Sequence, residues 1–150
     1  MPEPTEQPTK QMQVVLALKA LVETALPTAH VRGFDRDTSK PRKNDAGGTV
    51  IGHPGEPGEP EVDLSPLTFH YSHRMYLELI DPKGEGGPAL DAMIKRLGEA
   101  IAGDRTLGGL VDWLQGESPD RNDRTVEGLA TGNWAVVPVV ANYSTEDPLA

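Results

Sequence analysis

The sequence predicts an α+β fold: a mostly antiparallel or mixed sheet of four to five strands, with two helices packed on one face and one long loop. Three patterns carry that prediction. Apolar residues recur at three- and four-residue steps near positions 9–25 and again near 88–103, which places each set on one helical face. Positions 67–80 alternate apolar and polar with a period of two, and the valine-rich run at 133–143 is apolar on both faces. Helix, strands, helix, strands is an order that gathers the helices on one side of a sheet.

Residues 1–8 carry three prolines and no periodicity, so a disordered arm is expected there. Thr9 is an N-cap candidate for a first helix with Val14, Val15, Leu18, Leu21, Val22 and Ala25 on one stripe, and Pro27 ends it. Ala29–Arg32 is a short candidate strand. The stretch from Gly33 to Pro66 is dense in glycine, proline and charge; only Gly48–Gly52 reads as a strand within it, and so long a loop is expected to be functional or disordered. It is segregated by charge. Arg32, Arg36, Lys40, Arg42 and Lys43 lie in its first part, and Glu56, Glu59, Glu61 and Asp63 in its second.

Leu67–Ile80 is the clearest strand, with Leu67, Phe69, Tyr71, Met75, Leu77 and Leu79 on one face and Thr68, His70, Ser72, Arg74, Tyr76 and Glu78 on the other. Asp81–Gly87 is a turn into the second helix, whose stripe is Leu90, Met93, Ile94, Leu97 and Ile101. Pro88 suits its first position, and Gly103 suits a left-handed residue after its last turn. Leu110–Gln115 is a candidate strand carrying Trp113, and Glu117–Arg124 a charged loop. Asn133–Tyr143 reads as an inner strand covered on both sides, in which Pro138 implies a bulge or an unpaired edge. The chain is thus expected to be one domain over 9–146, with the insertion at 33–66 and a short polar tail at 147–150.

Composition narrows the function. In 150 residues, only 37% are hydrophobic and 5% aromatic, while Gly (16) and Pro (14) fill a fifth of the chain, so much of it must be loop. The absence of cysteine excludes disulfides, a thiolate nucleophile and thiolate zinc sites. No apolar run approaches the ~20 residues of a membrane helix, and the N-terminus lacks the pattern of a signal peptide. Fourteen basic against 23 acidic residues, net −9, argues against a sequence-specific nucleic-acid reader.

No catalytic residue, cofactor site or metal site is nominated. His70 and His73 stand at an odd spacing, so on a strand they point to opposite faces and cannot share an ion. His30 and His53 have no carboxylate at ligand spacing. The glycine-rich loop at 47–60 lacks the Gly-Lys-Ser/Thr ending of a phosphate cradle. Trp113 and Trp134 read as core or interface anchors. In the hexapeptide Asp104–Gly109, Asp104 is a candidate turn cap, Leu107 a core plug, and the glycines supply backbone angles closed to other residues.

Three segments in succession resemble the tail terminator proteins of long-tailed bacteriophages, also called tail completion or minor tail proteins and found in prophages and gene transfer agents. They are a strand ending in His73, Leu77 and Glu78; a helix running into Asp104, Thr106, Leu107, Gly108 and Gly109; and a terminal valine-rich strand leading to Tyr143, Thr145, Pro148 and Leu149. The likeness follows the order of elements from about Val14 to Leu149, with the 33–66 loop as a departure from the shortest members.

That resemblance implies a non-enzymatic virion protein, made in the bacterial cytoplasm and resident in the tail. It would form a ring, usually of six copies, on the head-proximal end of the tail tube, ending tube polymerisation and presenting a surface for head joining. The implied partners are further copies of itself, the tube protein and the head connector or neck protein, with DNA passing through the ring and no membrane. Candidate subunit-interface residues are Arg36, Lys40, Arg42, Lys43, Glu56, Glu59, Trp134 and Val136, the basic segment meeting an acidic surface on a neighbour. A neck or head–tail connector protein, a small ligand-binding enzyme and an adaptor stay open as alternatives.

Overall fold

A computed structural model of the chain describes residues 7–34, 48–81, 87–121 and 134–150. It is an α+β fold with two helices and a six-stranded mixed sheet. In chain order the elements are α1 (Lys10–Ala25), β1 (His30–Arg32), β2 (Thr49–His53), β3 (Glu61–Leu64), β4 (Leu67–Ile80), α2 (Gly87–Gly103), β5 (Trp113–Gly116) and β6 (Trp134–Thr145). The main sheet runs β1-β2-β4-β6-β5, and β3 pairs with β4 off that path. Among the described residues, only β1 and β2 pair in parallel.

The sheet is built on β4. From Phe69 to Ile80 it pairs antiparallel with β6, with Phe69 opposite Thr145 and Ile80 opposite Trp134. Its other edge is shared: β2 pairs with residues 76–80 and β3 with residues 67–70. Alternation sends Tyr71, His73, Met75, Leu77 and Leu79 inward, beside Ala135, Val137, Val139, Ala141 and Tyr143 of β6. One buried cluster joins this row to Val14, Val15, Leu18 and Val22 of α1 and to Leu90, Met93, Leu97 and Ile101 of α2. Each such side chain contributes about 1.5–3 kcal/mol by leaving water, which is what holds both helices to one face.

The helix ends follow local chemistry. The Thr9 hydroxyl accepts the Met12 N–H at 3.3 Å as an N-cap, and α1 stops at Ala25, two residues before Pro27. Gly103 closes α2 without a left-handed angle; the positive φ values come later, at Leu107 (47°), Gly108 (70°) and Gly109 (93°). The reversal is displaced because Asp104–Leu110 forms a further turn before the chain enters β5.

Two expectations are corrected and a third is narrowed. β2 falls on the expected Gly48–Gly52 strand, and β3 is a further strand in the 33–66 insertion, so the sheet has six strands among the described residues instead of four to five. Second, β6 is inner by topology but is not covered on both sides: its burial alternates, because both helices pack on the same face and leave the row Trp134, Val136, Pro138, Val140 partly open. Third, of the two readings for Pro138, a bulge or an unpaired edge, the structure takes the second: its register with Tyr76 is continuous, and its missing N–H falls on the β5 side just past the end of β5 at Gly116, where the Glu117 N–H donates to the Pro138 carbonyl at 2.9 Å and the next bridge is Asp120 with Val136. The arm at 1–6 lies outside the described residues.

Candidate functional site

The hexapeptide after α2 is a built turn. Asp104 Oδ1 accepts the Gly108 N–H at 3.0 Å, Thr106 Oγ1 accepts the Gly109 N–H at 3.2 Å, and the Thr106 carbonyl accepts both Gly109 and Val111 at 3.0 Å. Leu107 holds a left-handed φ, a costly state for a residue with a Cβ, and is 8% exposed, so its side chain is tied into the core. The turn and α1 enclose a shallow apolar groove of about 380 Å3, bounded by Ala17, Ala20, Leu21 and Leu107.

The other resemblance residues end the sheet. Tyr143 is buried, stacks on Tyr71 with centroids 5.6 Å apart, and its hydroxyl donates to His73 Nδ1 at 3.0 Å. His73 Nε2–H donates to the Pro54 carbonyl at 2.6 Å, which fixes the neutral tautomer. Burial lowers the His73 pKa, and the bond to Pro54 only partly opposes it; burial, with Tyr71 nearby, pushes Tyr143 up to about 12. His73 thus serves as an internal tie between β4, β6 and the segment after β2, while His70 faces outward and meets Asp63 at 2.8 Å. Thr145 closes β6, and Pro148 and Leu149 lie in the turn beyond it, where the Ala150 carbonyl accepts the Lys10 N–H at 2.9 Å.

The face of the sheet away from the helices carries both tryptophans. Trp134 Nε1–H donates to Glu78 Oε1 at 2.5 Å, and His53 Nε2 lies 3.1 Å from Glu78 Oε2, so one carboxylate joins β2, β4 and β6. Trp113 is 47% exposed with the Arg105 guanidinium 4.9 Å from its ring centroid, and Arg105 also donates to the Leu114 carbonyl at 3.0 Å. Tyr76 and Ile51 extend the row across β4 and β2. The surface is amphipathic: apolar rings and valines are interleaved with Arg74, Glu78 and Gln115. Such a face suits contact with another protein better than enclosure of a small ligand.

Of the expected interface residues, Trp134 and Val136 lie together on this face, and Glu56 and Glu59 are exposed between β2 and β3. Glu59, Glu61, Asp63 and Asp112 line an open depression of about 730 Å3 beside His70. Arg36, Lys40, Arg42 and Lys43 lie outside the described residues. Among the described residues no group of three or more His, Asp or Glu is placed to hold a metal ion, and no helix is long and apolar enough to cross a membrane.

Sequence reasoning missed β3 and a second apolar line on α1. β3 had a signal: Leu64-Ser-Pro-Leu67 puts a two-residue turn between apolar residues, a hairpin pattern hidden by the flanking acids. Compared with known proteins, the chain matches no family model and no curated protein.

Proposed function

We propose that the protein is a structural assembly protein of the phage tail terminator type, working as a ring of copies that caps the head-proximal end of a tail tube and presents a surface for head joining. The observation that carries this reading is the one-sided fold. Two helices cover one face, and the opposite face keeps two tryptophans, a tyrosine and a valine row partly open to solvent. A lone monomer has little use for that face, whereas a subunit with several neighbours does. The α+β frame agrees with what the sequence resemblance implies. A net charge of −9 suits a channel that DNA traverses without sticking.

The test is light scattering behind size exclusion over a wide concentration range, negative-stain imaging of heavy fractions, and addition of the protein to its growing tail tube. A discrete species near six subunits with a central hole, able to arrest tube growth, is expected. A 16.1 kDa monomer throughout that leaves tube length unchanged would overturn the proposal. A ring that ignores the tube and binds the portal side would instead identify a neck connector.

A further inference from the structure

The β3–β4 hairpin is a projecting arm with one apolar side. Cross-strand pairs Val62 with Phe69 and Leu64 with Leu67 lie on the same face as the inward row of β4, so the core-facing row continues beyond the cover of the helices. Val62, Leu64 and Leu67 are 46%, 83% and 49% exposed, on the order of 300 Å2 of apolar surface, as large as the biggest patch on many monomers.

The chain carries a matching surface elsewhere. Opposite its core stripe, α1 has a second line at four-residue steps, Met12, Leu16 and Ala20, with Met12 42% and Leu16 36% exposed. Ala20 also bounds the groove that Leu21 and Leu107 help to form. Both surfaces stay exposed in one copy, so a single chain does not bring them together.

We infer that the hairpin arm of one copy packs its Leu64–Leu67 face on the Met12–Leu16–Ala20 line and adjoining groove of a second copy, giving a head-to-tail contact. The packing is the helix-on-sheet kind already used inside the fold. Charge favours this pairing over arm on arm: Glu59 leads into the arm, which carries Glu61 and the His70-paired Asp63, whereas on the receiving surface Lys10 and Lys19 offset Glu23 and the groove's Asp104. Arm-on-arm pairing through the free β3 edge would instead set Glu61 and Asp63 against their own copies. One contact falls short of the ~800 Å2 per partner of a stable pair, so assembly comes from repetition, each copy giving an arm and receiving one. Two different patches per subunit generate closed rings or open chains. The contact deepens the ring reading and rests on it for the number of copies, not for the pairing.

The chain has no cysteine, so single thiols can be placed cleanly. Leu64→Cys and Ala20→Cys variants are mixed and treated with a short bis-maleimide, with Ser118→Cys as an exposed control. The expected result is a 64–20 cross-linked dimer at least fivefold above the 64–118 background, little homodimer from either variant alone, and a ladder from the double variant. Background yield of the 64–20 product, or dominant 64–64 product, would overturn the inference. Light scattering on the same samples separates the two proposals: assembly without 64–20 cross-links rejects this contact alone, and 64–20 cross-links in open chains that leave the tube unaffected reject the terminator reading alone.

Discussion

Replacing His73 with Phe keeps a ring in a fully buried slot and removes two hydrogen bonds, to the Pro54 carbonyl and from the Tyr143 hydroxyl. Each polar group left buried without a partner costs about 1–3 kcal/mol, and the added apolar contact recovers part, so His73→Phe is expected to destabilise by about 2–4 kcal/mol at pH 8. The pH dependence isolates the cause. Burial lowers the folded His73 pKa, so the unfolded chain binds the proton more readily. Stability is therefore full above the unfolded value of about 6.5 and declines as pH falls toward the lowered folded value, by at most ~1.4 kcal/mol per pH unit from this group. Phenylalanine has no such term, so the gap between wild type and variant should narrow from pH 8 to pH 5. Urea titrations followed by tryptophan fluorescence measure both quantities. A variant within about 0.5 kcal/mol of wild type, or a gap that stays constant with pH, would show that His73 is not the buried neutral tie described.

Two glycines separate crowding from torsion. A Cβ at Gly52 would enter the Phe34 ring, so Gly52→Ala should cost about 1–3 kcal/mol or more, whereas Gly109 (φ 93°) has open space around it and Gly109→Ala should cost only the torsional ~1–2 kcal/mol; urea midpoints of the pair should rank in that order. Asp104→Ala removes the acceptor for Gly108 and should lower stability by about 1 kcal/mol, with Asp104→Asn largely restoring it in the same assay. Trp134→Phe deletes the donor to Glu78 but keeps its partner His53; a loss near 1 kcal/mol by thermal denaturation is expected, with the remaining emission coming from Trp113 alone.

Much of the fold was legible because its elements carry strong periodicity. The bounds of β4 could be read directly, since fourteen residues of period two admit few other readings, and α1 began and ended where Thr9 and Pro27 place it. β3 is hard to see because its outward residues are acids and its apolar residues are exposed, so only the Leu64–Leu67 turn pattern separates it from a solvated loop. The open face of β6 was misread for a related reason: valine on both sides of a strand signals two apolar environments but not whether the second lies within the chain. For the candidate surfaces, the sequence marks both tryptophans as anchors but not the residues that surround them. The joint role of Glu78, which links His53 to Trp134, depends on register between strands 25 and 56 residues apart and has no local signature.

The central place of β6 has a kinetic consequence. β4 and β5 both find their partner in a strand that lies far along the chain from β4, so no short-range hairpin can close the middle of the sheet. Until residues 134–145 arrive, the β4 edge from Phe69 to Ile80 is unpaired, and the inward row it carries cannot be sealed beneath α2. Formation of the β4–β6 ladder is then the step that commits the chain, and the interval before it is when the apolar hairpin and the naked β4 edge are most open to wrong partners.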